Sequence, residues 1–160
     1  MEKFNHIELN NEVTKRGDNG FFKLEKDIEA IEEFLREVDF RTVKFSSEMK
    51  RLRYLVEENF YYNIFDKYIE DEILECLELA ANFKFEFKSY MAASKFYKDY
   101  ALKTNDKKQY LENFNQHVFI VAMYLADGDV ALAKELMISM LEQRLQPATP
   151  TFLNSGRSRR

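Results

Sequence analysis

Glycine and proline, the residues that most often interrupt regular structure, are nearly absent from the central part of this 160-residue chain. The sequence holds four glycines and two prolines, and none of them lies between Phe21 and Asp127. A segment of this length without either residue favours a series of helices that are separated by capping residues and polar turns. The first constraint on the fold is therefore a predominantly helical chain.

Apolar residues recur at spacings of three and four along most of the chain, which is the period of an amphipathic helix. Polar or turn-forming residues separate one apolar stripe from the next. The stripes lie in residues 28–38, 49–56, 69–80, 87–102, 110–125 and 130–141. The pattern predicts an all-α protein of about six helices.

Capping residues mark three of the expected helix ends. Asp27 stands before the first stripe and Ser46 or Ser47 before the second, where a side-chain oxygen can accept a hydrogen bond from a backbone N–H at the helix start. Gly128 follows the fifth stripe and is expected to end that helix in the left-handed conformation. These residues predict helix ends in a region that contains almost no Gly or Pro.

The end of the helical pattern divides the chain. Pro147 stops the last stripe and disfavours a helical backbone before it, so an extended tail is expected there. The predicted organisation is a short segment over residues 1–20, a helical domain over 21–146 and the tail over 147–160. The length suits one domain with a substantial core.

The composition excludes several functional classes. A formal net charge of −4 argues against a general nucleic-acid binder, which normally needs a basic surface. No run approaches the roughly 18 consecutive apolar residues of a membrane span, and the first residues lack the apolar core of a signal peptide. A single cysteine, Cys76, cannot form a disulfide framework. A cytoplasmic protein is expected.

No catalytic constellation stands out in the helical region. His6 and His117 are the only histidines, and His117 is expected to make a local hydrogen bond on the flank of its helix. Cys76 lies on an apolar stripe, where a free cysteine usually packs as a small hydrophobic residue. Neither a GxxxxGK[ST] phosphate loop nor a GxGxxG motif is present.

The tail has a different composition. Residues 143–160 contain four arginines and no acidic residue, and Thr149 and Thr151 flank Pro150. Threonine hydroxyls and unpaired backbone amides of such a segment could bind a phosphate group. The alternative is a disordered, solvated end, which composition alone favours.

The final residues, QPATPTFLNSGRSRR, closely resemble a segment of the large (alpha) subunit of class Ib ribonucleoside-diphosphate reductases. Four upstream stretches resemble the helical amino-terminal region of the same family: IELNNEVT, LRYLVEENFYYNIFD, FYKDYALKTNDKKQYLENFNQHV and MYLADGDVALAKELM. The resemblance covers essentially the whole chain and is greatest to proteins of low-GC Gram-positive bacteria or their phages. One departure is Ser155, which stands where alanine is common.

The resemblance implies an enzyme that reduces ribonucleoside diphosphates to deoxyribonucleotides for DNA synthesis. In that family a cysteine thiyl radical attacks the ribose inside a ten-stranded α/β barrel, which would begin with the tail. The family's catalytic cysteines lie beyond the position of Arg160, so no catalytic residue is expected in this chain, and the chain alone is expected to be inactive. Thr149, the first threonine of ATPTFLN, carries over as a contact to the substrate diphosphate.

The resemblance also implies partners and cofactors. The complete enzyme uses a dimetal site and a tyrosyl radical in a separate beta subunit, and it responds to allosteric nucleotides. No cofactor or metal is expected to bind this chain itself. The expected partners are the remainder of the alpha subunit, a second alpha subunit, the beta subunit, a thioredoxin- or glutaredoxin-like reductant and a ribonucleoside diphosphate. Neither nucleic acid nor a membrane is expected as a partner.

Two functions of other classes remain open. The chain could be a regulatory domain that binds nucleotides through Lys15 and Arg16 near a helix start, or a helical interaction module with a flexible tail. The resemblance instead leads us to expect a gene fragment left by an intron or intein insertion, one half of a split subunit, or a truncated form of the subunit.

Overall fold

The computed structural model describes the backbone of residues 20–158 and the side chains from residue 27 onwards. Within these residues the chain forms seven α-helices and no strand longer than an isolated bridge. The helices are α1 (Gly20–Phe40), α2 (Glu48–Glu57), α3 (Glu70–Asn82), α4 (Tyr90–Lys95), α5 (Phe114–Ala126), α6 (Val130–Leu141) and α7 (Thr149–Asn154). The predicted all-α fold is confirmed, and six of these helices match the six apolar stripes.

Two of the three predicted helix ends are confirmed. The side chain of Ser47 accepts a hydrogen bond from the Lys50 amide at 3.2 Å and caps α2. Asp127 and Gly128, with φ of 46° and 100°, end α5 in the left-handed region. A capping box between Asn113 and Gln116, which the spacing did not reveal, starts the same helix.

The prediction for Asp27 is wrong. α1 begins at Gly20, so Asp27 lies within the helix rather than before it. Its carboxylate instead accepts a hydrogen bond from the Tyr90 amide at 3.2 Å, at the first residue of α4. An Asp carboxylate can accept a hydrogen bond from the first amides of any helix that lies close to it in space. Spacing along the chain does not reveal which distant helix will be brought close by folding.

The chain divides into two compact units. The first contains the described residues up to Val43 together with Glu86–Glu112. Its packing is aromatic: the ring of Phe34 lies edge-on to Tyr90 and Tyr97, with centroids 5.7 and 5.9 Å apart. After α4 the backbone widens into one turn of π-helix, Phe96–Tyr100, so the predicted helix over 87–102 is shorter and irregular.

The second unit contains Lys44–Phe85 and the described residues from Asn113 onwards. In this unit α3, α5 and α6 pack against one another. Helix α5 is buried on all sides from His117 to Met123, which makes it the central helix of the unit. The predicted stripe over 110–125 began too early, because α5 starts at Phe114.

The tail is a further correction. Thr149–Asn154 form α7, a short helix, where an extended segment was predicted. Pro150 is tolerated there because it lies in the first turn, where its missing N–H would have no partner within the helix. The boundaries predicted at residues 20 and 146 stay a prediction.

Burial of Tyr97 in the first unit predicts a loss of stability at alkaline pH. Burial, followed by the neighbouring Tyr110 and Glu112, raises the pKa of the Tyr97 hydroxyl well above its ordinary value of 10.0. The unfolded chain therefore binds fewer protons than the folded chain above pH 10, so stability is fully present below that pH and is lost as the pH rises. The expected loss is roughly 1.4 kcal/mol for each pH unit above about 10. Urea unfolding of the unmodified chain and of Tyr97→Phe over this range would measure it, and equal losses in both would contradict the assignment.

Candidate functional site

The segment with the most specific sequence signature lies on the second unit. Thr149 is the first residue of α7 and its side chain is exposed, whereas Thr151 is half-buried. Leu145–Ala148 lead into the helix without regular structure. The hydroxyl predicted to contact a phosphate therefore lies at the surface of the unit, at the start of a short helix.

Residues after α7 are fixed by backbone hydrogen bonds to the loop that follows α2. The Tyr62 amide donates to the Gly156 carbonyl at 2.9 Å, and the Ser158 amide donates to the Phe60 carbonyl at 3.0 Å. Tyr61 and Arg157 form an antiparallel bridge between these bonds. The disordered end that composition favours is therefore wrong for this part of the tail.

Gly156 allows this part of the tail to approach α5. Its φ is +81°, and a Cβ at this position would lie 2.6 Å from Ile120 Cγ1 and 3.0 Å from the Ile120 carbonyl oxygen. The neighbouring Ser155 is buried. The pair "SG" in the quoted tail thus fills a position where only small residues fit against the central helix.

His117 connects α5 to α7. The residue is fully buried, and its Nε2 lies 2.5 Å from the carbonyl oxygen of Phe152. The His117 and Phe152 rings meet edge-on, with centroids 4.5 Å apart. The ring of Phe114 also packs near Phe152, with a centroid distance of 6.2 Å. The predicted position on a helix flank is wrong, because α5 is buried on all sides here, and the Phe152 carbonyl that Nε2 reaches lies 35 residues away in the chain.

A buried charge supports the loop that pairs with the tail. Arg51 of α2 is buried, and its Nη2 donates to the Tyr61 hydroxyl at 2.9 Å. Its guanidinium carbon also lies 5.7 Å from the centroid of the Tyr61 ring. Glu48 Oε2 is 3.8 Å from Arg51 Nη1. Tyr61 thus joins a buried cation on one side to the bridge with Arg157 on the other.

Cys76, the other candidate group that the structure describes, takes no part in this site. Burial, more than any neighbouring charge, raises the pKa of the Cys76 thiol, and the residue is fully buried, so its prediction as a small hydrophobic residue is confirmed. His6, Lys15 and Arg16 lie outside the described residues.

Within the described part, no three His, Cys, Asp or Glu residues are placed to hold a metal ion. No described helix has both the length and the apolar character needed to span a membrane.

Comparison with known proteins agrees with the resemblance over both parts of the chain. Residues 6–85 match the family "Ribonucleotide reductase N-terminal", and residues 86–160 match the family "Ribonucleotide reductase, all-alpha domain". The tail and the loop that pairs with it belong to different matched segments. Together the two matches extend over nearly the whole chain.

Three relatives are alpha subunits of ribonucleoside-diphosphate reductase. The NrdEB alpha subunit of Bacillus subtilis is 46% identical over 158 residues, which is 98% of this chain and 14% of the relative. A second Bacillus subtilis alpha subunit is 46% identical over 96% of this chain and 22% of its own length. The Mycoplasma pneumoniae alpha subunit is 39% identical over 97% of this chain and 21% of its own length.

This chain therefore spans less than a quarter of the length of these relatives. It corresponds to their amino-terminal region, as the description of the first matched segment states. The two matched segments agree with the three alignments, which cover almost every residue of this chain. The chain therefore belongs to the ribonucleotide reductase family and forms the amino-terminal helical region of an alpha subunit.

Proposed function

We propose that this chain acts as part of a class Ib ribonucleotide reductase that reduces ribonucleoside diphosphates to deoxyribonucleoside diphosphates by thiyl-radical chemistry. The catalytic cysteines would come from the remainder of the alpha subunit. The observation that supports this role best is the exposed Thr149 at the start of α7, on a segment that the second unit holds at Phe152 and Gly156.

Thr149 would act as a neutral hydrogen-bond donor to the substrate diphosphate. A hydroxyl can donate to a phosphate oxygen without adding a titrating group, so the contact would persist over the physiological pH range. The net charge of the chain is negative, so a placed hydroxyl rather than a general basic surface would provide recognition here. The role of Thr149 is thus binding and orientation rather than proton transfer.

The partners of this role are those of the whole enzyme. We place the chain in a cytoplasmic alpha subunit that forms a homodimer and meets a beta subunit with a dimetal site and a tyrosyl radical. A thioredoxin- or glutaredoxin-like protein would restore the reduced cysteines, and allosteric nucleotides would regulate the assembly. None of these groups is assigned to side chains of this chain.

A chimaeric subunit tests the proposal. This sequence would replace the aligned residues of the second Bacillus subtilis alpha subunit; the alignment covers 96% of this chain. Reduction of a ribonucleoside diphosphate would then be measured with the cognate beta subunit. Activity within an order of magnitude of the parent subunit is expected. A folded chimaera that binds the beta subunit but does not turn over would contradict the proposed function.

Replacement of Thr149 in the active chimaera tests the site. Thr149→Val removes one hydroxyl at nearly constant volume, and the loss of one hydrogen bond, about 0.5–1.5 kcal/mol, should raise KM about 2- to 12-fold. The value of kcat should change much less, because a contact made equally in the ground and transition states affects KM alone. Thr149→Ser keeps the hydroxyl and is the matched control. An unchanged KM in Thr149→Val would remove this residue from the substrate site.

A further inference from the structure

We propose that His117 is a positioning residue for the phosphate-binding segment, acting through the carbonyl group of Phe152. This inference rests on the proposed function of Thr149. His117 does not touch the substrate in this scheme. It fixes the helix that carries the hydroxyl.

Helix α7 needs external contacts to hold its position. It has six residues, and helices this short are unstable without tertiary packing. The last four carbonyl groups of a helix have no donor within the helix, and Phe152 contributes one of these four in α7. A donor from another element is therefore required wherever that carbonyl is buried, and His117 Nε2 lies 2.5 Å from it.

The direction of this hydrogen bond is fixed by chemistry. A carbonyl oxygen can only accept, so Nε2 of His117 must carry the proton. The edge-on contact of the two rings restricts rotation of both side chains at the same place. His117 thereby constrains the backbone and the side chain of Phe152 together.

Phe152 transmits this constraint to Thr149. The Phe152 amide donates to the Ala148 carbonyl at 2.9 Å, which closes the single turn of helix that contains Thr149. The same peptide segment is thus held by His117 at one end and by this turn at the other. A shift of Phe152 away from α5 would move the Thr149 hydroxyl with it.

The protonation of the His117 ring can be measured by NMR with little overlap of signals, because His6 is the only other histidine. In the ¹⁵N-labelled chain, the His117 imidazole should show a protonated Nε2 whose proton exchanges slowly with solvent. His6→Gln assigns the signal without altering any described residue. An unprotonated or rapidly exchanging Nε2 would overturn the proposal without any substitution of His117.

Substitution then separates positioning from a structural role. In this chain, His117→Leu should accelerate exchange of the Phe152 amide, which closes the turn that contains Thr149, whereas His117→Gln keeps a donor near Nε2 and should preserve its protection. Unchanged exchange in His117→Leu would overturn the proposal. Exchange is measured without substrate, so this result is independent of whether the chimaera is active.

In the active chimaera, His117→Leu should raise KM by about 2- to 12-fold, the range for Thr149→Val, because it acts through that hydroxyl. His117→Gln should restore KM, and kcat should change little in both. The double variant His117→Leu with Thr149→Val should bind no more weakly than the weaker single variant. Multiplied effects on KM would overturn the proposal, whereas an inactive unmodified chimaera would count against the proposed function alone.

Discussion

Gly156→Ala should lower the free energy of unfolding of the second unit by about 2–5 kcal/mol and release the tail from the loop at Tyr62. A left-handed backbone costs a residue with a Cβ about 1–2 kcal/mol. Overlap with a well-packed neighbour adds about 1–3 kcal/mol, and here the neighbour is Ile120 Cγ1 at 2.6 Å, with the Ile120 carbonyl oxygen at 3.0 Å. Chemical denaturation would measure the loss, and hydrogen exchange at the Tyr62 amide would report the tail.

Gly128→Ala provides the matched control. Gly128 has a φ of +100°, but the nearest atom to its Cβ would be the Lys67 carbonyl oxygen at 3.3 Å. This variant should therefore show backbone strain of about 1–2 kcal/mol with little overlap. Ile120→Ala should cost less in the Gly156→Ala background than in the unmodified chain, because there it also removes the side-chain atom that the new methyl group meets. Equal destabilisation by the two glycine variants would contradict the close approach of the tail to α5.

Tyr61→Phe should cost about 1.5–3 kcal/mol, the usual contribution of a hydrogen bond to a charged group. The variant keeps the ring and its contact with the Arg51 guanidinium but removes the oxygen that accepts from Nη2 at 2.9 Å. Because Arg51 is buried, water cannot easily replace that oxygen. Urea denaturation of both proteins would give the difference.

Tyr54→Phe is the control for the loss of a tyrosine hydroxyl. Tyr54 lies in α2, the same helix as Arg51, but its side chain is 41% exposed and its ring contact with Phe45 survives the change. An exposed substitution of this kind should alter stability by less than about 0.5 kcal/mol. A cost for Tyr61→Phe as small as that of the control would show that the Arg51–Tyr61 hydrogen bond does not support the loop.

The helices could be predicted from the sequence because their signals are local. Apolar spacing, Ser47 before α2 and Gly128 after α5 all act within a few residues, so one chain segment carries the information. The π-helical turn at Phe96–Tyr100 escaped prediction since its residues have the ordinary helical spacing. The ring of Phe96 contacts the rings of Tyr97 and Tyr100 in this turn, and spacing along the chain does not describe such packing.

The candidate site could be predicted only in part, because its contacts join distant segments. The motif around Thr149 was recognisable from the sequence. The partners of the tail were not predictable: Phe60 and His117 are separated from it by long stretches of chain. The burial of His117 had one available signal, the apolar run VFIVAM that follows it, which exceeds a single helix face.

The two compact units do not coincide with the two matched segments. Residues 6–85 and 86–160 meet at a single boundary, yet each unit takes residues from both sides of it. A polypeptide that ended at residue 85 would carry α1 without α4, and α3 without α5 and α6. Exchange of one segment between related genes would therefore replace part of both cores at once, and each exchanged part would have to fit a core that it did not evolve with.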